Sequence, residues 1–365
     1  MVAEKMKALG VKKSVIREIF EYAKKRKQEI GDENVFDYSI GNPSVPAPEI
    51  VNKTLCELIE NTDSTILHGY TSAQGDYSVR CAISEYLNKT HGVNASPDYI
   101  YMTVGAAASL TISLNAVVPE KTQSEVITFA PFFPEYRVFV EKAGAELTVV
   151  PSSEPDFQID FDKFASAINE KTRAVIVNSP NNPTGVVLSE KTIIRMCEIL
   201  KDAEKKYEHP IYLIADEPYR ELVYGEVEVP FLTKYYDDTI VCYSFSKSLS
   251  LPGERIGYIF VNPTARDAID VYAAVLGAGR ALGFVCAPAL FQRLVAKCLG
   301  QTADISVYDK NRTLLYNELT KYGYTCAKPD GAFYLFVKVL EDAGVYKRTE
   351  EGKAAFLRFV ESVNN

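Results

Sequence analysis

The sequence predicts an α/β fold: three layers, α/β/α, on a mainly parallel seven-stranded sheet, with a smaller α+β domain beside it. Seven short apolar runs read as strands, at 99–104, 125–129, 146–150, 174–178, 211–216, 239–244 and 256–261. Most of them are continuous and not alternating, so helices should cover both faces of the sheet. Longer amphipathic stretches such as 189–207 separate many of the runs, which is the pattern of parallel strands joined by helical crossovers.

In chain order, residues 14–30 read as an amphipathic helix, with Ser14 as N-cap and Val15, Ile19, Tyr22 and Ala23 on one face. Gly31 stops it. The extended piece V-F-D-Y-S-I then runs into G-N-P-S-V-P-A-P, where the prolines forbid a regular element and leave a link or a substrate-facing loop. Strand and helix alternate from about 48 to 275, and after 276 the character changes. A long helical stretch is expected over 288–322, then a turn and strand in K-P-D-G-A-F-Y-L-F-V-K, then a last helix over 351–362. The expected division is a large domain of 46–275 and a small domain of 1–45 with 276–365.

Bulk properties narrow the function classes. A chain of 365 residues is long for one simple core. Its net charge of −8, with no basic block, argues against nucleic acid. No run approaches the roughly 20 apolar residues of a membrane span, and the charged start M-V-A-E-K-M-K differs from a signal peptide, so a cytoplasmic protein is expected. The seven cysteines never form C-x-x-C and the three histidines are scattered. Buried reduced thiols and no metal site are expected.

Ligands of open α/β sheets sit at the carboxyl ends of strands, and four strand ends here carry unusual residues. T-I-V-C-Y-S runs into S-F-S-K-S-L-S-L-P-G-E-R, with Ser244, Ser246, Lys247 and Arg255. I-Y-L-I-A-D-E-P-Y supplies Asp216 and Tyr219, and A-V-I-V-N-S-P-N-N-P-T-G supplies Asn182. Y-I-Y-M-T-V-G-A-A-A-S-L turns at Gly105 into a helix start at Ala106 and Ala107, whose free N–H groups favour an anion. Each alone has a plain reading: a solvated lysine, a capping aspartate, a common turn. Together they offer an amine, an acid, a phosphate cradle and donors for an oxyanion. Pyridoxal 5′-phosphate, with its aldehyde, ring nitrogen, phosphate and 3′-oxygen, meets every one of them.

These motifs resemble the class I/II aminotransferases of fold type I, the aspartate aminotransferase-like enzymes, from about Ser14 to about Lys338. The most specific match is S-F-S-K-S-L-S-L-P-G-E-R-I-G, with N-N-P-T-G and A-D-E-P-Y in the expected order. The resemblance implies that Lys247 holds the cofactor as a Schiff base and then moves the substrate proton. It places Asp216 against the ring nitrogen, an attraction of roughly 4 kcal/mol at about 4 Å and an effective dielectric near 20, or about three pK units. It gives Asn182 and Tyr219 to the 3′-oxygen. The phosphate falls to Arg255, Ser244, Ser246, Gly105, Ala106 and Ala107. Phe133 stacks on the ring or simply packs in the core. Tyr70 reaches the neighbouring subunit's phosphate, which implies a homodimer with shared sites. Gly41 and Asn42 lie over the substrate carboxylate, or form a surface loop.

The family's later P-G-x-x-F motif and carboxylate-binding arginine do not occur before Asn365, so the C-terminal part is expected to be truncated relative to the family. Arg280 falls near a family arginine that recognises dicarboxylates, but a solvated interface arginine is the preferred reading. The implied function is amino transfer from an α-amino acid, aspartate-type, to a 2-oxo acid, in ping-pong order through pyridoxamine phosphate. Two alternatives stand beside it: a C–S β-lyase acting on cystathionine or cysteine, and a cofactor-binding protein impaired by the missing arginine.

Overall fold

The computed structural model describes residues 2–11 and 15–338. Ser14 and the helix expected over 351–362 lie outside the described residues. By compactness the chain divides at Asn42/Pro43 and again at Val337/Lys338. The first unit contains helices α1 (Glu4–Val11) and α2 (Val15–Ile30). α2 ends where the sequence says it should: Gly31, at φ +92°, closes the last turn by donating its N–H to Lys27 O at 2.9 Å.

The second unit is built on the expected sheet. Its strands are β1 (Ile100–Thr103), β2 (Glu125–Ala130), β3 (Glu146–Pro151), β4 (Thr172–Asn178), β5 (Tyr212–Asp216), β6 (Thr239–Ser244) and β7 (Gly257–Val261). They lie in the order β1-β7-β6-β5-β4-β2-β3. β7 runs antiparallel to both neighbours, and the other pairings are parallel. Both faces are buried, which is why the runs read as continuously apolar. Along β4, Val175 and Val177 enter one core while Ala174 and Ile176 enter the other. Each of the valines and the isoleucine contributes roughly 1.5–3 kcal/mol on burial.

Around the sheet run α3 (Glu49–Asn61), α4 (Ser64–Leu67), α5 (Tyr77–His91), α6 (Ala106–Val117), α7 (Glu135–Lys142), α8 (Phe161–Ala167) and α9 (Glu190–Tyr207), then α10 (Phe245–Ser248) and α11 (Ala268–Ala281). The long helix expected over 288–322 is two helices, α12 (Ala289–Lys297) and α13 (Ser306–Lys321). The break falls where Gly300 takes φ +77° and Ala303 N donates to Ser248 O at 2.7 Å, at the end of α10 and not within its own helix. Two short strands follow, β8 (Thr325–Cys326) and β9 (Val337–Lys338). The strand expected directly after the turn at 330 therefore starts only at Val337.

All seven cysteines are free thiols, but burial holds only for Cys197, Cys242 and Cys298; Cys56 is exposed. Its position in α3 faces solvent, so spacing alone could not show which side of the helix it takes. Among the described residues no helix is long and apolar enough to cross a membrane.

Candidate active site

One edge of the sheet gathers the polar residues. β4 and β5 pair in parallel with Asn178 opposite Asp216, and Asp216 in turn faces Cys242 of β6. Ser244 ends β6 opposite Gly257, the first residue of antiparallel β7. β1 ends at the same edge and turns through Gly105 into α6.

Asp216 is buried, and its side chain is half satisfied. Tyr136, on α7, donates its hydroxyl to Oδ2, whereas Oδ1 is buried with no hydrogen-bond partner. Burial pushes the carboxyl up to about 7, the Tyr136 hydrogen bond opposes that, and neighbouring Glu217 adds to it. Asn178 braces the strand end: its Nδ2 donates to Asp216 O at 2.8 Å and its Oδ1 accepts from Asn182 N at 2.6 Å. The turn after β5 is held by a buried ion pair in which Arg220 donates from Nε and Nη2 to the two oxygens of Glu217. The same guanidinium stacks on Phe231, 4.8 Å from the ring centre. That pair anchors Tyr219, the residue before it.

Tyr219 lies between Asn182 and Tyr334. Asn182 Nδ2 donates to its hydroxyl at 3.4 Å, and the two phenol oxygens are 2.7 Å apart. Lys247, half-buried on α10, holds its Nζ 6.0 Å from the Tyr219 ring centre and 5.3 Å from that of Phe333. Burial, then the nearby Arg255 charge, brings its amine down to about 8.

A separate cluster forms an anion cradle. Ser244 caps α10 by accepting from Ser246 N at 3.2 Å, and the two hydroxyls are 2.8 Å apart. Arg255 Nη1 reaches Ser246 Oγ at 3.5 Å and Pro252 O at 2.9 Å. Its guanidinium packs against Gly105, where an added Cβ would lie 2.7 Å from Nη2. Gly257 permits the assembly: a Cβ there would sit 2.3 Å from Tyr243 O and 3.1 Å from Gly105 Cα. Within α6, Ser109 and Ala108 are the first N–H groups to bond back to Gly105 O, both at 3.1 Å, so those of Ala106 and Ala107 precede the bonded ladder.

The other expected residues are placed as follows. Phe133 packs edge-on to Tyr136 with ring centres 5.7 Å apart, one side chain removed from Asp216. Tyr70, between α4 and α5, is 98% exposed. Arg280 lies in the last turn of α11 and is exposed. Gly41 and Asn42 belong to the first compact unit, in an irregular stretch where Asn42 N donates to Ile40 O at 2.8 Å. Sequence reasoning missed Tyr136, Asn178, Phe333 and Tyr334. Asn178 had a signal, a polar residue closing an apolar strand. Tyr136 and Tyr334 had none, because each reaches its partner from a distant part of the chain. Among the described residues no cluster of His, Cys, Asp or Glu could hold a metal.

In chemical terms the edge provides an amine that is unprotonated in part near neutral pH, a buried carboxyl lacking a cationic partner, two hydrogen-bonding side chains around one phenol, and a cationic cradle. The chain as a whole is similar to proteins of known kind. The family model for aminotransferase class I and II matches residues 33–355. A solved structure of an amino transferase from Eubacterium rectale is 58% identical and superposes with a TM-score of 0.91, covering 94% of this chain and 86% of that one. An aromatic-amino-acid aminotransferase from Thermococcus litoralis is 28% identical, over 92% of this chain and 82% of its own. An aspartate aminotransferase from Pyrococcus abyssi has the same identity and the same coverage. The chain belongs to the class I and II aminotransferases. It is a transferase of amino groups on the fold type I scaffold.

Proposed function

We propose that the protein is a pyridoxal 5′-phosphate enzyme that moves an amino group from an α-amino acid, aspartate-type, to a 2-oxo acid in ping-pong order. The observation that carries the cofactor is Asp216 Oδ1: a fully buried carboxylate oxygen without a partner wants a cation, and a protonated pyridine nitrogen is one. The anion cradle of Arg255, Ser244, Ser246 and the Gly105 turn suits a phosphate dianion, for which a guanidinium fork is the better donor. The residues present fit the group.

Bound there, pyridoxal phosphate supplies an aldehyde that condenses with amines and a protonated ring that accepts the electron pair left by a departing Cα proton. Asp216 would keep that ring protonated. Tyr219 and Asn182 would donate to the 3′-oxygen. Lys247, with its amine near 8, is poised both to take a proton from the substrate Cα and to return one. The aromatic faces of Tyr219 and Phe333 restrict where that amine can point. Phe133 would cover the ring, Gly41 and Asn42 the substrate carboxylate, and Tyr70 the partner subunit's phosphate in a homodimer; the near-complete exposure of Tyr70 supports the last. The same proposal keeps residues 46–275 as the cofactor domain and 1–45 with 276–365 as the small domain.

Borohydride reduction of the holoenzyme followed by peptide mapping tests the cofactor reading. The label is expected on Lys247, and Lys247→Ala should lose both the label and roughly 10²–10⁴-fold or more of the rate. A label on another lysine overturns it. For the substrate, a panel of donors is compared with 2-oxoglutarate as acceptor. Aspartate should give the highest kcat/KM, with parallel double-reciprocal lines. A faster aromatic donor, or intersecting lines, overturns that part.

A further inference from the structure

We propose that Tyr334 is a positioning residue that acts through Tyr219, aiming that phenol's one proton at the cofactor's 3′-oxygen; the inference rests on the cofactor reading above. A phenol has one proton and two lone pairs. Tyr219 already meets two groups, Asn182 Nδ2 at 3.4 Å and Tyr334 OH at 2.7 Å. With its own proton given to an outside oxygen, both contacts become acceptances. Asn182 is a donor in any case, so Tyr334 must donate as well. The lone pairs of Tyr219 are then filled and its proton has one direction left.

The placement of Tyr334 is built into the fold. Residues 329–334 cross between the loop that carries Asn182 and the loop that follows Tyr219. Asp330 N and Gly331 N both donate to Gly185 O at 2.9 Å. On the other side Tyr224 N donates to Asp330 O at 3.0 Å, Ala332 N donates to Leu222 O at 2.8 Å, and the Tyr224 hydroxyl donates to Ala332 O. Gly185, at φ +72°, has no room for a side chain, since a Cβ would lie 2.6 Å from Pro329 Cβ and 2.8 Å from Tyr334 O. Gly331 is as tight, 2.7 Å from Pro180 Cβ. The Tyr334 ring then meets Tyr219 edge-on, at 5.6 Å and 82°. One short segment thus ties together the two loops whose side chains surround one hydroxyl.

The physical effect is polarisation along a hydrogen-bond chain in a dry site. A Tyr219 that accepts from Tyr334 is a stronger donor to an anionic oxygen. Burial holds Tyr219 well above 10 and Tyr334 at about 12, so both phenols keep their protons over the working range. Stabilising the 3′-oxygen anion favours the unprotonated form of the cofactor-linked Lys247 nitrogen. Losing the donor should therefore raise that nitrogen's pKa.

The test is the visible absorbance of the substrate-free holoenzyme, titrated with pH, for the wild type, Tyr219→Phe, Tyr334→Phe and the double variant. Tyr219→Phe should raise the midpoint. Tyr334→Phe should raise it by roughly 10–30% of that amount, lowering kcat more than it changes KM. The double variant should match Tyr219→Phe alone, because Tyr334 acts through Tyr219. An unchanged midpoint in Tyr334→Phe, or shifts that add in the double variant, overturns this inference and leaves the cofactor reading intact. A Lys247 chromophore indifferent to Tyr219→Phe removes the cofactor role of Tyr219, and this inference with it. If Tyr334→Phe fails to fold, 3-fluorotyrosine at position 334 carries the test: a more acidic phenol of nearly the same shape should move the midpoint down, and no movement overturns the proposal.

Discussion

Tyr136 donates its hydroxyl to Asp216 Oδ2 across 80 residues of sequence, and Oδ1 of the same carboxylate is buried without a partner. The bond favours the ionised carboxylate, against a burial effect that favours the neutral acid. Tyr136→Phe should therefore make Asp216 harder to ionise and weaken cofactor binding at neutral pH by about tenfold, the worth of one charge-assisted hydrogen bond. Quenching of tyrosine fluorescence by added cofactor measures it. An unchanged dissociation constant would mean that Tyr136 only packs.

Asp216 also gives the cofactor-free protein a pH-dependent stability with a definite sign. Its folded-state value is raised from 3.8 to about 7. The neutral form is stabilised by the fold below about 4, and that contribution is lost as pH climbs through 7. Glu221, raised by burial from 4.5 to about 7, acts in the same sense. Asp216→Asn should flatten the decline and leave the cofactor-free protein more stable at pH 8, by up to about 4 kcal/mol for about three pK units. Urea unfolding at pH 5 and pH 8 decides it. A variant that declines with pH as steeply as the wild type would show that Asp216 is not the group responsible.

Arg255 touches Ser246 and packs on Gly105, with its own backbone in the left-handed region at φ +50°. Arg255→Lys keeps the charge but loses the planar fork. Cofactor affinity should fall roughly 10–100-fold, equivalent to about 1.5–3 kcal/mol, while thermal unfolding without cofactor stays near wild type. Equilibrium dialysis of the cofactor checks the first part. Equal affinity in the two proteins would place the phosphate elsewhere.

Gly257 sets how closely three strand ends approach. A methyl group there would press to within 2.3 Å of a backbone oxygen, Tyr243 O, which cannot rotate away. Gly257→Ala should cost roughly 1–3 kcal/mol of stability and, by parting Gly105 from Ser244, weaken cofactor binding too. Differential scanning calorimetry gives the first quantity. A variant as stable as the parent would show that the sheet edge yields more easily than its packing implies.

The sheet was legible because each strand is a continuous apolar run. The seven expected runs are the seven observed strands, with ends displaced by a residue or two. The strand-end residues were legible for the same reason, since Asp216 and Ser244 close such runs and Asn182 and Lys247 follow within four residues. The long stretch over 288–322 misled because helical spacing persists on both sides of the break at Gly300, where Ala303 bonds instead to Ser248.

By itself the sequence determined the α/β class, the strands and the polar residues at their ends, since burial on both faces and turn chemistry are local patterns. It also carried the motifs that mark the family. Only the tertiary structure decided that Tyr136 would reach Asp216 and that Tyr334 would reach Tyr219, 115 residues away. A hydrogen bond needs two groups brought to within about 3 Å. No local spacing encodes that when the groups sit on segments joined only through the packed core.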